Sequence, residues 1–178
     1  MRETKLQHLA IENAKIIFRN FRGEASTFNA AGNRNFCLLI PKEQAYQLQE
    51  DGWKVKWPRV NDQNDDSRDP YIPVTVRFFS QGDERDGRDP KIFVRNSVND
   101  PFVEYTEKMV GNLDNAEIET LDVVIRPREW EMNGKSGVKA YLKSMWVTLL
   151  QDEFYGKYYS TEPAEYEAPS DDEGAPFN

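Results

Sequence analysis

The chain has 178 residues, of which 38% are hydrophobic, 12% aromatic and 30% charged, with a formal net charge of −8. This length fits one domain with a hydrophobic core of its own, and the aromatic content argues against a wholly disordered chain. Its single cysteine, Cys37, excludes a disulfide framework and a cysteine-based zinc site, and its single histidine, His8, leaves too few ligands or bases for most metal and triad chemistry. We expect neither a membrane span nor a secretory signal, because no apolar run reaches the required length.

The first third of the chain predicts short strands around one helix. Residues 9–21 are rich in β-formers and predict a strand, and residues 35–40 predict another after a loop. Pro41 begins a predicted helix that Gly52 ends, because proline suits the first helical turn and glycine suits the C-terminal end. Residues 53–57 alternate like a strand, and we expect at least one of their two tryptophans in the core.

The rest of the body is β-rich. Strands are predicted over residues 71–79 and 91–95, and a short helix within 103–110. Two long β segments, 118–131 and 138–150, flank an Asn-Gly pair, which is a strong hairpin signal. We expect a loop longer than two residues there, with positive φ at both of its glycines, Gly134 and Gly137.

These elements indicate a fold class. They amount to about seven short strands with one or two helices, and strands and helices do not alternate along the chain. A parallel α/β sheet is therefore not expected. The pattern predicts a mainly β protein, a small and mostly antiparallel β-barrel with an inserted helix.

The negative charge is concentrated at the C-terminal end. Residues 152–178 hold eight acidic side chains and one basic one, a net of −7, whereas residues 1–151 hold 23 acidic and 22 basic side chains, a net of −1. A near-neutral body is compatible with a nucleic-acid partner despite the low overall pI. We expect one domain over residues 1–150, followed over 151–178 by a flexible, disordered acidic tail.

Basic and aromatic residues alternate on one face of several predicted strands. This mixture suits single-stranded nucleic acid, because cations neutralise phosphates and each exposed ring can stack on a base for roughly 1–3 kcal/mol. An ordinary amphipathic strand explains any one case, and repetition over several strands favours a binding face. The candidate phosphate contacts are Lys15, Arg19, Arg77, Arg95, Arg126, Arg128, Lys135, Lys139 and Lys143. The candidate stacking residues are Phe21, Phe79, Phe93, Trp130 and Tyr141.

The acidic tail has two functional interpretations beside a merely solubilising one. A flexible anionic segment can occupy a cationic groove until nucleic acid displaces it. A terminal aromatic residue can also anchor in a pocket on a partner protein while carboxylates steer the encounter. The candidate partner contacts are Asp171, Asp172, Glu173 and Phe177.

Carboxylates also cluster at Asp62, Asp65, Asp66 and Asp69. The segment begins like a calcium loop, but Ser67 stands where the turn glycine belongs and Pro73 where the bidentate glutamate belongs. A solvated loop is favoured over a calcium site and over the magnesium site of a nuclease. We expect no catalytic residue, no metal and no other cofactor.

The sequence resembles the single-stranded DNA-binding proteins of tailed bacteriophages, a divergent OB-fold group. The resemblance rests on residues 11–21 and 33–41, the hairpin over 123–142, Leu113-Asp114 before the first long β segment, and the acidic tail with its penultimate Phe177. Bacterial proteins of this function usually end in Pro-Phe, whereas Asn178 follows the phenylalanine here.

The resemblance implies an OB-like domain that coats and protects single-stranded DNA during replication and recombination, in the cytoplasm of the infected bacterium. It also implies cooperative binding as a filament or homo-oligomer, and a tail that recruits replication or recombination proteins. Two alternatives stay open. One is an acidic protein-interaction module, such as a DNA mimic or replication adaptor, without DNA affinity. The other is a magnesium-dependent nuclease that uses the four aspartates of the 61–70 segment.

Overall fold

The computed structural model describes residues 6–27, 29–58, 69–79 and 86–150. Within these ranges it contains eight β-strands, one α-helix and two short 3₁₀ helices. The strands are β1 (Leu9–Ile11), β2 (Ile16–Asn20), β3 (Arg34–Leu39), β4 (Tyr71–Val76), β5 (Lys91–Arg95), β6 (Val103–Tyr105), β7 (Ile118–Met132) and β8 (Lys135–Leu149). The helix is α1 (Lys42–Glu50), and the 3₁₀ helices span Asp86–Arg88 and Val110–Asp114.

All eight strands belong to one sheet that branches at β8. The hydrogen-bonded order is β1-β7-β8-β4-β3-β2, and β5 pairs with both β8 and β6. With its 15 residues, β8 pairs with β7 along one edge and has room on the other edge for β4, at residues 140–141, and for β5, at residues 144–148. The two pairings on this second edge are parallel, and the remaining pairings are antiparallel.

The two ends of this hydrogen-bonded path are close together. β1 and β2 occupy opposite ends, yet only residues 12–15 connect them, and such a segment spans at most about 18 Å. The sheet must therefore wrap round so that its edges approach each other. The Ala14 N–H donates to the carbonyl oxygen of Leu121 in β7 at 2.7 Å, which fixes the crossing segment. Among the described strands no ladder joins β1 to β2, so the sheet is not closed by hydrogen bonds into the predicted barrel.

The predicted strand over residues 9–21 is therefore two strands. Asn13, with φ of 52°, turns the chain between them, and its N–H donates to Asp122 Oδ1 at 3.0 Å. Asparagine tolerates this left-handed conformation because its short polar side chain can bond locally. A bulge between Ile17 and Asn20 then interrupts the pairing of β2 with β3.

The predicted helix is confirmed. Pro41 is its N-cap, and Gly52, with φ of 101°, follows the C-cap residue. The helix buries Ala45 and Leu48. The predicted strand over residues 53–57 is wrong, since this segment makes only isolated bridges to β8 and β4. Trp53 nevertheless packs in the core, as expected of at least one of the two tryptophans.

The long hairpin is confirmed, but its turn is tighter than predicted. Met132 pairs with Lys135, so Asn133 and Gly134 form a two-residue turn. Both have positive φ, 54° and 79°, as a type I′ turn requires. Gly137 does not have positive φ, and that prediction is wrong. The helix predicted within residues 103–110 is also wrong, because β6 and the 3₁₀ helix at Val110–Asp114 occupy this region.

The mainly β, OB-like fold with one inserted helix is confirmed. Its core is built from alternate residues of the strands, so that every second side chain of the sheet faces outward. In β7 and β8 the buried apolar positions are Leu121, Val123, Ile125, Val138, Ala140, Leu142, Met145 and Val147. No helix in the described part of the chain is long and apolar enough to cross a membrane.

Candidate functional site

The outer face of the β7–β8 hairpin carries basic and aromatic side chains in register. These residues alternate with the buried positions of both strands, and directly opposed side chains on a sheet lie close enough to interact. The cross-strand pairs on this face are Arg126–Tyr141, Arg128–Lys139 and Trp130–Gly137. The prediction that Arg126, Arg128 and Trp130 share a face is thereby confirmed.

Strand β4 extends this face. Its Thr75 is in register with Tyr141, and Arg77 and Phe79 follow the end of the strand. Residues of the hairpin, of the segment after β4 and of the first 3₁₀ helix enclose a depression of about 370 Å³ that we call the central groove. The central groove is lined chiefly by Arg77, Phe79, Arg88, Arg126, Arg128 and Tyr141. Four arginines thus line one concave surface, and the described residues that line it include no carboxylate.

Arg126 shows the consequence of this arrangement. Its Nη2 donates to the carbonyl oxygen of Arg88 at 3.2 Å. Partial burial lowers the pKa of Arg126, the positive charge of Arg88 lowers this pKa further, and Tyr141 opposes the shift. A desolvated cation beside a second cation is stabilised by an anion. The central groove is therefore suited to phosphate groups.

Cations lie beside the rings of this face. The Arg77 Cζ lies 5.0 Å from the centroid of the Phe79 ring, and the Lys139 Nζ lies 5.5 Å from that of Tyr141. Both separations are within the range of cation–π attraction. A chain that alternates phosphates with aromatic bases finds both complementary groups side by side here.

An apolar pocket continues the surface towards the hairpin tip. Its volume is about 510 Å³, and its lining includes Trp53, Pro73, Trp130, Gly137 and Lys139. A Cβ atom at Gly137 would lie 3.0 Å from Cζ2 of Trp130. An alanine at this position would therefore require the indole, which lies across β8, to shift by a few tenths of an ångström.

A polar depression of about 440 Å³ connects the apolar pocket with the central groove. It shares Thr75 and Lys139 with the pocket and Arg77 and Tyr141 with the groove. On its far side, Arg34 donates to the carbonyl oxygen of Phe21 at 2.7 Å and pairs with Glu107 at 3.2 Å. The three depressions form one continuous surface across β7, β8 and β4.

A second cluster lies farther along β8. Phe93 of β5 is in register with Trp146, and their rings stack 5.9 Å apart with an interplanar angle of 18°. Arg95 Nε donates to Thr148 Oγ1 at 2.9 Å, and its Cζ lies 4.4 Å from the centroid of the Phe102 ring. Phe93 and Arg95 thus belong to this cluster and not to the central groove.

The structure corrects two predicted contacts, one in β2 and one directly after it. Phe21 is fully buried and stacks on Phe36, with ring centroids 5.4 Å apart, so it is a core residue. Arg19 Nη1 donates to the carbonyl oxygens of Leu113 and Ala116, each at 2.7 Å, and so holds the end of a 3₁₀ helix. The bulge in β2 explains both errors, because it breaks the period of two on which a shared face depended.

The remaining predicted residues are dispersed. Lys15, Lys135 and Lys143 are exposed, but none lines any of the three depressions. The tail residues Asp171, Asp172, Glu173 and Phe177 lie outside the described residues, as do Asp62, Asp65 and Asp66. Within the described ranges, no three histidine, cysteine, aspartate or glutamate residues are grouped so that they could hold a metal ion.

Sequence reasoning missed Arg88 and Trp146. Arg88 belongs to a short 3₁₀ helix in a segment predicted as a charged loop, where no periodicity indicates which way a side chain points. Trp146 lies on the outer face of β8, and the bulge between the pairs Val124–Ser144 and Ile125–Leu142 shifts its parity relative to Tyr141. The sequence gives no sign of this bulge, so the outward direction of Trp146 could not be predicted from the alternation of residues along β8.

Comparisons with known proteins find similarity to phage proteins that bind single-stranded DNA. The family model of a phage ssDNA-binding domain matches residues 1–174. Three solved structures similar to this chain are of the single-stranded DNA-binding protein from bacteriophage Enc34. The complex with ssDNA has a TM-score of 0.50 at 12% identity and covers 83% of this chain and 89% of that one.

The other two structures are also of the bacteriophage Enc34 protein. One has a TM-score of 0.48 at 12% identity, with 88% of this chain and 89% of that chain covered. The other, a C-terminal truncation, has a TM-score of 0.49 at 11% identity, with 82% and 87% covered. A comparison with curated protein sequences finds no match.

Proposed function

This chain belongs to the family of phage ssDNA-binding domains, and from this premise we propose that it binds single-stranded DNA, without sequence preference, across the outer face of β7, β8 and β4. One observation assigns the proposed binding to this surface. Four arginines line the central groove without a carboxylate among the described residues there, beside the rings of Phe79 and Tyr141. That combination fits phosphates and bases together.

In this proposal the groove arginines contact the backbone and the rings contact the bases. Arg77, Arg88, Arg126 and Arg128 neutralise phosphates, and Lys139 serves the next phosphate towards the hairpin tip. Bases stack on a subset of Phe79, Tyr141 and Trp130, and stacking accepts any base because every base has a π-face. No group of the protein has to change its covalent state, so the proposed activity is binding alone.

Outlying predicted residues have a secondary place in the proposal. Lys143, Phe93 and Arg95 lie farther along β8 and β5, and they would contact a strand that continues past the central groove. Lys15 and Lys135, both exposed, would add only long-range attraction. Arg19 and Phe21 are not part of the proposed interface, because the first binds carbonyl oxygens and the second is buried.

We further propose a division between a binding domain, residues 1–150, and an acidic tail, residues 151–178. Residues 152–178 carry a net charge of −7, which is complementary to the groove arginines. The tail would compete with DNA for the groove and, once displaced, would present Asp171, Asp172, Glu173 and Phe177 to replication or recombination proteins. We also propose that several copies bind side by side and coat DNA intermediates inside the infected host.

Fluorescence anisotropy tests the binding proposal. A labelled oligo-dT of about 30 nucleotides is compared with a duplex of equal length at low and high salt, using the full chain and a chain that lacks residues 160–178. We expect preferential, salt-sensitive binding of the single strand, and tighter binding with weaker discrimination against duplex after truncation. Unchanged binding after truncation contradicts the competition by the tail. No binding by either chain favours the protein-interaction module instead.

A further inference from the structure

Phe18 combines a strained backbone with an exposed aromatic ring. Its φ is 54°, and the only other non-glycine residues with positive φ in the described ranges are Asn13 and Asn133. Asparagine tolerates this region, whereas a bulky residue there is a genuine outlier. The side chain is 67% exposed, so burial of the ring does not offset the strain.

The ring of Phe18 is placed on the outer face of the sheet. The residue lies in the bulge of β2 between Ile17 and Asn20, and its ring meets that of Tyr71 edge-on, with centroids 5.7 Å apart at 73°. Tyr71 begins β4 and precedes the buried Ile72. It therefore shares the outer face of β4 with Pro73, which lines the apolar pocket.

A cation accompanies the two rings. The backbone of Lys56 exchanges hydrogen bonds with that of Tyr71, at 2.8 and 2.9 Å, and the lysine side chain is exposed. Its charge also reaches Cys37, where it opposes the rise of the thiol pKa that burial causes. Cys37 is opposite Ile17 on β2 and opposite Pro73 on β4. Lys56 and Tyr71 are directly opposed in an isolated antiparallel bridge, so their side chains lie on the same side of the sheet.

We infer that Phe18 and Tyr71 form a second stacking platform for unpaired nucleobases, with Lys56 as its phosphate contact. This inference rests on the proposed function. The platform takes nucleotides of the same strand after that strand has crossed β4 from the central groove and the apolar pocket. The left-handed conformation at the bulge turns the ring to the outer face of the sheet. In a regular strand, the side chains of neighbouring residues would point to opposite faces. Backbone strain of this kind persists where a surrounding structure holds it for a function.

The test compares two oligo-dT lengths. An oligonucleotide of about 6 nucleotides is short enough to occupy the central groove alone, and one of about 20 nucleotides can reach the platform. The variant Phe18→Asn removes the ring and suits positive φ, so we expect its Tm to be equal to or higher than that of the unmodified chain. Its affinity for the long oligonucleotide should fall at least about fivefold, as expected for the loss of one stacked base. Its affinity for the short one should not change.

Three further variants separate this inference from the proposed function. Arg126→Ala with Arg128→Ala should weaken binding of both oligonucleotides, and if it weakens neither, the groove proposal fails irrespective of Phe18. Lys56→Gln should weaken only the long one. Tyr46→Ala is the matched control, because Tyr46 is 64% exposed and also contacts another ring, that of Trp57 at 4.9 Å. The inference is overturned if Phe18→Asn leaves the long oligonucleotide unaffected, weakens both lengths equally, or has no more effect than Tyr46→Ala.

Discussion

Removal of two arginines from the central groove should reduce the salt dependence of DNA binding by a calculable amount. Each phosphate contact on a single strand contributes about 0.7 to the slope of log affinity against log salt. The four groove arginines then lower the affinity about 50-fold between about 50 and about 200 mM salt. The double variant Arg126→Ala/Arg128→Ala keeps two of these four contacts, and Lys139 contributes equally in both proteins, so its loss over the same range should be about sevenfold smaller than that of the unmodified chain.

Anisotropy titrations with oligo-dT at several salt concentrations measure both slopes. The matched control is Arg22→Ala/Lys42→Ala, which removes the same charge at positions that line none of the three depressions. Its slope should equal that of the unmodified chain. Equal slopes for the groove variant and the unmodified chain would refute the assignment of phosphates to this groove, even if the groove variant binds more weakly at one salt concentration.

Three further predictions test the structural assignments. Phe21→Ala should lower the free energy of unfolding in urea by about 3–5 kcal/mol, because it empties a core site, and a loss below about 1 kcal/mol contradicts the burial of this ring. Gly137→Ala should displace Trp130 and weaken ssDNA binding with little change in Tm. Gly134→Ala, at φ of 79°, should instead lower Tm. A Gly137→Ala variant that binds normally but has a lower Tm is evidence against the role of Gly137. Burial raises the pKa of the Cys37 thiol in the folded chain above its value in the unfolded chain. This group therefore stabilises the fold at pH values below the pKa of the unfolded chain, and the contribution is lost as pH rises through the pKa of the folded chain. A thiol reagent at mildly alkaline pH should therefore react more slowly with the folded chain than with the urea-unfolded chain, and equal rates contradict the shift.

The sequence predicts best the parts of the fold that are regular and local. The long hairpin follows from two alternating runs and an Asn-Gly pair, and α1 follows from Pro41 and Gly52. Because β7 is regular from Ile125 to Met132, the shared face of Arg126, Arg128 and Trp130 could also be predicted. What these residues face depends on β4, which is distant in sequence and pairs with β8 in parallel.

The errors occur where tertiary structure interrupts a period. The turn at Asn13 divides one β-rich segment into strands at opposite ends of the sheet, and the bulge at Phe18 interrupts the period of the second strand. The parity of Lys15, Arg19 and Phe21 therefore carries no information about a common face. Arg88 reaches the central groove from a 3₁₀ helix of three residues, which is too short to show a periodic pattern in the sequence. Longer-range packing, and not local preference, decides such positions.

Photo-crosslinking gives the most direct test of the central claim that the outer face of β7, β8 and β4 binds single-stranded DNA. An oligonucleotide with photoreactive thymines is bound to the full chain, irradiated and digested, and the modified residues are identified by mass spectrometry. We predict crosslinks at Tyr141, Trp130 or Phe79, and their loss when excess unlabelled oligo-dT competes. Competed crosslinks confined to residues outside this face, such as Tyr46 on α1, would contradict the claim.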